Sequence, residues 1–228
     1  MTYHKHLPLI VTGAIATGVL AAVGWYFRQR FFGKKKYQVV FVIGGPGAGK
    51  GTQCVLISQN FGYTHLSAGD LLRAEMKSGS EMADMINAII KDGRIVPSEI
   101  TTSLLLKAME ESGNTKFLID GFPRNLENLR CWEKLATDLC EVQFLLYLDC
   151  PEEVMMQRLL VRGQTSGRVD DNIETIKKRF KTNRDDISPI LEYFRGVGKL
   201  RSVDSSTQVN EVFQDISMHF QNANWGVM

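Results

Sequence analysis

A single junction limits this chain to few folds. Tyr37–Ile43 (YQVVFVI) is a β-branched, apolar run, short enough for a strand buried on both faces. Gly44-Gly45-Pro46-Gly47-Ala48-Gly49-Lys50 follows at once, and from Lys50 to Asn60 the chain reads as a helix. These seven residues match the start of G-x-x-x-x-G-K-[ST]. A strand that turns through glycines into a helix N-terminus aims backbone N–H groups at one spot, and that spot suits phosphate. Side chains there would hold the backbone away from a ligand. Lys50 reaches the outer phosphates. The eighth position is Gly51, and the hydroxyl comes one residue later, at Thr52.

The rest of the body alternates in the same way. Strands are expected at His65–Ser67, Phe117–Asp120, Val142–Asp149 and Leu200–Val203. Helices are expected at Gly69–Lys77, Ser80–Lys91, Ser98–Glu111, Asn125–Thr137, Pro151–Val161, Asn172–Phe194 and Gln208–Phe220. Ser98, with Thr101 and Thr102 nearby, offers N-cap chemistry after Pro97. Strands separated by helices imply an α/β fold with a parallel sheet covered on both faces. Three helices between the second and third strands exceed a simple crossover and are expected to stand off the sheet. Cys54, Cys131, Cys140 and Cys150 are scattered, which suits reduced packing thiols.

Charge separates the head from the body. Residues 1–36 hold six Lys/Arg and no acid, which leaves residues 37–228 with 21 bases against 25 acids. A mildly acidic body argues against nucleic-acid binding. Leu7–Phe27 has no charged residue, and as a helix its 21 residues would span about 31 Å. Trp25, Tyr26 and Phe27 close the run, and five bases follow among residues 28–36. The pattern predicts an N-terminal transmembrane helix over 7–27 and a basic linker to residue 36. The lipid bilayer is thus an expected partner. The protein would be single-pass and membrane-anchored, its body facing the cytosol from the mitochondrial outer membrane or endoplasmic reticulum, with a mitochondrial location as the rival. His4 and His6 read as part of a solvated tail.

Several further segments carry a resemblance. GGPGAGKGTQC (44–54), THLSAGDLLR (64–73), DGRIVPSEIT (92–101), FLIDGFPRN (117–125), SGRVDDN (166–172) and IKKRF (176–180) resemble the nucleoside monophosphate kinase family, its UMP-CMP branch above all, with adenylate kinases as near relatives. The likeness runs from about Tyr37 to Phe220. It implies a P-loop NTPase-type core within a domain spanning 37–228, an acceptor-binding helical subdomain near 67–96 and a short lid near 162–172. It also implies an ATP-dependent enzyme that uses Mg2+ with ATP and phosphorylates CMP, UMP and dCMP. A monomer is expected.

By the same likeness, Gly45, Pro46, Gly47, Ala48, Gly49, Lys50, Gly51 and Thr52 hold the ATP phosphates, and Thr207 lies in a loop beside the adenine. Lys50, Arg124, Arg162, Arg168 and Arg179 serve the transfer itself. Ala68, Arg73, Arg94, Ile95, Val96, Gly121 and Phe122 bind the acceptor together with Arg124, Arg168 and Arg179. Asp120 matches a strand-end aspartate that organises Mg2+ through water, with Thr52 as a second metal candidate. Asn125 and Asn128 fall where the pyrimidine branch faces its base, since an amide both donates and accepts. Helix capping is the rival role for Asn125. An AMP acceptor, or a non-catalytic membrane-anchored nucleotide-binding module, remains the alternative.

Overall fold

The protein is described by a computed structural model covering residues 36–80, 83–166 and 172–221. Five strands form one parallel sheet: β1 (Tyr37–Gly44), β2 (Thr64–Ser67), β3 (Lys116–Asp120), β4 (Cys140–Asp149) and β5 (Leu200–Asp204). Their order is β2-β3-β1-β4-β5. Eight described helices connect and cover them: α1 (Lys50–Phe61), α2 (Ala68–Lys77), α3 (Ala83–Lys91), α4 (Ser98–Ser112), α5 (Leu126–Ala136), α6 (Glu152–Gly163), α7 (Ile173–Gly196) and α8 (Val209–Gln221). Every expected strand and helix of the body is present, with ends shifted by a few residues.

The sheet is buried on both sides, which is why its strands read as unbroken apolar runs. Val40 and Val42 of β1 face one layer, packed with Cys54, Ile57, Met155, Leu159 and Ile216. Val39, Phe41 and Ile43 face the other, with Leu105, Trp132, Ile190 and Phe194. Phe41 sits edge-on to Trp132 at 5.2 Å between ring centres. A third, smaller cluster gathers Leu72, Ile86 and Val96. It gives α2 and α3 a core of their own, off the sheet. α4 belongs to both: Ile100 and Leu104 pack on the small cluster and Leu105 and Met109 on the sheet.

β1 lies between β3 and β4, and the chain after β1 leaves for one side of it and later returns to the other. Such a switch point opens a crevice at the carboxyl ends of the strands. Gly44, Ser67, Asp120 and Asp149 end four of the five strands there.

The expected N-terminal membrane helix is corrected. Among the described residues no helix is long and apolar enough to cross a membrane. The longest, α7, has 24 residues but is rich in charge and passes through Pro189. Residues 7–27 lie outside the described residues. Over the described residues the fold is a parallel-sheet α/β fold without a membrane-spanning helix, and the expected bilayer partner and membrane-anchored location are corrected with it.

Two local readings also change. Pro97 is the N-cap of α4, and Ser98 is its first helical residue. Arg162 and Gly163 close α6 rather than opening a loop. Residues 167–171, Arg168 among them, lie outside the described residues.

Candidate active site

The glycine loop between β1 and α1 is shaped by contacts that exclude side chains. Gly47 and Gly49 take φ near +89° and +88°. A Cβ on Gly47 would come within 2.6 Å of the Met155 carbonyl oxygen. Gly49 is also the N-cap of α1, with no side chain satisfying the first N–H groups of the helix. Those donors are left for a ligand.

Lys50 folds back over the loop. Its Nζ donates to the carbonyls of Gly44 (3.0 Å) and Gly45 (2.9 Å). Burial lowers its pKa to about 8; Asp120 opposes the shift, and the charges of Arg124 and Arg179 add to it. Residues from α1, β3, the turn after β3 and α7 thus meet in one electrostatic neighbourhood.

A cleft of about 500 Å³ opens there. Its walls include Pro46–Thr52, Asp120, Gly121 and Thr207. Four arginines expected from sequence, Arg73, Arg124, Arg162 and Arg179, also line it. A smaller cavity of about 50 Å³ adjoins it, lined by Ala68, Arg94, Ile95, Val96, Phe122 and Asn128. Gly121, Arg73, Arg124 and Arg179 line both. The arginines therefore stand at the junction. Gly45 is the one residue of the loop expected to hold phosphate that is absent from the cleft wall; a Cβ there would run into Met155 instead.

The arginines are held before any ligand arrives. Arg124 Nε donates to the Gly121 carbonyl at 2.9 Å. Arg73 is bound through Nε and Nη2 to Asp70. Its guanidinium lies over Gly69, 3.1 Å from where a Cβ would stand. Arg94 differs: it pairs with Asp92 at 2.9 Å and keeps 66% of its side chain exposed.

The two asparagines part company. Asn125 is the N-cap of α5, its Oδ1 accepting the Asn128 N–H at 2.8 Å. It lines neither space. Asn128 is buried, accepts the Arg124 N–H at 3.0 Å and donates to Ser98 Oγ at 2.8 Å. It faces the small cavity while holding the backbone of Arg124.

Among the cleft residues missed from sequence, Arg158 makes the most contacts to the loop 205–207. Arg158 donates to the carbonyls of Ser205 (2.8 Å), Ser206 (3.2 Å) and Thr207 (3.4 Å) and lines the large cleft. It stands one helical turn before Arg162 on α6. That i, i+4 spacing was the available signal.

Asp120, 8% exposed, and the exposed Thr52 both line the cleft. A carboxylate and a hydroxyl are hard oxygen donors, the chemistry Mg2+ prefers. Behind Asp120 lies His65, whose Nε2 is 3.3 Å from Oδ2. Cys54 is fully buried beside them, and burial first, then Asp120, raises its pKa well above the usual thiol value.

Comparison with known proteins agrees with this geometry. The adenylate kinase family matches residues 42–199. Probable UMP-CMP kinase 1 of Arabidopsis thaliana is 57% identical over 186 residues, covering 82% of this chain and 89% of that protein. UMP-CMP kinase 3 of Oryza sativa subsp. japonica is 53% identical over 192 residues, covering 84% and 90%. UMP-CMP kinase of Bos taurus is 49% identical over 187 residues, covering 79% and 95%.

Proposed function

The chain belongs to the adenylate kinase family of nucleoside monophosphate kinases, and from that premise we propose that it transfers the γ-phosphoryl group of ATP to CMP or UMP. The observation that carries this is the pair of adjoining spaces that share Arg73, Arg124 and Arg179. A phosphoryl group passing from donor to acceptor crosses that junction. An oxygen of the CMP or UMP phosphate attacks the γ-phosphorus in line, and the bond to the bridging oxygen breaks. ADP leaves with the bond pair, and CDP or UDP forms. No protein nucleophile is required; positioning and positive charge do the work.

Residue roles follow from position. Backbone N–H groups of Gly47–Thr52 and the N-terminus of α1 hold the donor phosphates. Lys50 exchanges its two carbonyl partners for phosphate oxygens. Arg73 and Arg124 hold the acceptor phosphate, and Arg162 and Arg179 face the group in transit; Arg168 joins them on sequence alone. Ile95 and Val96 wall the base side of the small cavity, with Asn128 opposite as the amide that reads the pyrimidine edge. Asn125 caps its helix and shapes the turn. Residues 67–96 act as the acceptor clamp, and residues 162–172 as a lid that keeps water from the γ-phosphate.

Mg2+ bound with ATP neutralises charge between the outer phosphates. Asp120, through water, and the Thr52 hydroxyl would hold it. The chain's own share is to hold the Asp120 carboxylate in the cleft wall beside Lys50.

The test is ADP formation by the full-length protein with MgATP and CMP, UMP, dCMP or AMP. Turnover with CMP and UMP well above that with AMP is expected. Faster turnover with AMP would overturn the pyrimidine assignment while sparing the kinase chemistry; no turnover with any acceptor would overturn both.

A further inference from the structure

Cys54, His65 and Asp120 come from three elements, yet they face one point. Leu118 and Asp120 alternate onto the α1 side of β3, and His65 pairs with Leu118 in register on β2. Cys54 looks down on that face from α1, packed in the same cluster as Leu118. Their Sγ, Nε2 and carboxylate oxygen all lie within 4.8 Å of one another. We propose that these three side chains form an inhibitory site for a thiophilic divalent cation such as Zn2+, at the back of the phosphate cleft.

The donor set selects the ion. Thiolate, imidazole and carboxylate suit Zn2+, whereas Mg2+ takes oxygen alone. Ligand atoms around a tetrahedral Zn2+ stand roughly 3.3–3.8 Å apart, from the bond lengths of about 2.0–2.3 Å. His65 and Asp120, at 3.3 Å, already meet that spacing. The thiol closes the remainder by a side-chain shift of about an ångström. Three protein ligands leave a fourth position for water, the arrangement of an accessible site. Access is from the cleft, which both His65 and Asp120 line, with 21% and 11% of their side chains exposed. Binding replaces the S–H bond of Cys54 by S–Zn and releases that proton to solvent. The ion takes Asp120 from its place beside Lys50. Turnover falls because Asp120 is then no longer free to hold Mg2+ through water. Only this inhibition rests on the proposed kinase activity; binding does not.

Cobalt(II) reports the site directly, because only thiolate ligation gives a sulfur-to-metal charge-transfer band in the near ultraviolet. The full-length wild-type protein without nucleotide is expected to show that band with one cobalt per chain. Cys54→Ala should lose the band and keep its turnover with MgATP and CMP. The Zn2+ concentration for half-inhibition should rise by at least about tenfold, the loss seen even for an outer-shell partner. No band in the wild type, or equal Zn2+ sensitivity in the two proteins, overturns the proposal. Should Cys54→Ala fail to fold, Cys54→Ser and zinc-edge X-ray absorption of the wild type decide instead. A first shell without sulfur overturns it. Spectra do not depend on turnover, so an inactive protein would strike the kinase assignment alone.

Discussion

Seven consecutive residues, Pro46–Thr52, wall the large cleft, whereas the small cavity takes its walls from α2, the end of α3, the segment 93–96, Thr101 on α4, the turn 121–124, Asn128 on α5 and Arg179 on α7. The proposed donor loop would work through backbone N–H groups, and it takes positive φ at Gly47 and Gly49. The acceptor cavity works through side chains that meet only once the small cluster of Leu72, Ile86 and Val96 has packed. A site made of backbone tolerates few sequences and is readable in one stretch. A site made of side chains from seven segments depends on their packing, and Asn128 both lines the cavity and holds the backbone of Arg124.

The sharpest way to break the comparison is at Lys50, which folds back over the glycine loop. Lys50→Met should lower kcat with CMP by roughly 10²–10³-fold, the cost of one preorganised charge in a water-poor site. Circular dichroism should be unchanged. A loss under about tenfold would mean that the arginines shared with the acceptor side carry the transfer.

Acidity probes the same lysine without removing it. Its pKa near 8 lies below the ordinary lysine value, because burial disfavours the ammonium. The neutral fraction grows as pH rises through 8, so kcat/KM for ATP should fall above that pH, by up to about tenfold per pH unit. Lys50→Arg, charged at every accessible pH, should lack this limb. A limb that persists in Lys50→Arg would assign the titration elsewhere.

Arg158 tests whether the donor side also depends on assembled side chains. Arg158→Ala frees the carbonyls of Ser205, Ser206 and Thr207. KM for ATP should rise about tenfold, near the lower end for charge-assisted hydrogen bonds, while KM for CMP stays put. Equal increases for both nucleotides would show a general loosening of α6.

The smallest effects separate the two asparagines. Asn128→Ala strands the Arg124 N–H and the Ser98 hydroxyl and should cost about 1–3 kcal/mol. In this size range that lowers Tm by about 2–12 °C, and KM for CMP should rise as Arg124 loosens. Asn125→Ala removes a helix cap worth about 1 kcal/mol and should leave the ratio of CMP to AMP turnover unchanged. A changed ratio would return Asn125 to the base.

What the amino-acid sequence determined by itself follows from local physics. The apolar runs Tyr37–Ile43 and Val142–Asp149 read as buried strands and form adjacent parallel strands, and the glycines after the first read as a turn suited to phosphate. Pro97 and Pro151 marked helix starts because proline ends what precedes it. The run Leu7–Phe27 supported an expected membrane helix that is corrected: among the described residues no helix is long and apolar enough to cross a membrane. Tertiary structure decided the rest. It set Asn125 to a cap and Asn128 to the cavity, three residues apart on one helix and indistinguishable by type. It brought Arg158 under the loop 205–207, 47 residues or more downstream. It also gathered Cys54, His65 and Asp120 onto one face of the sheet. Such meetings depend on register and strand order, which arise only when distant segments bury their apolar faces together.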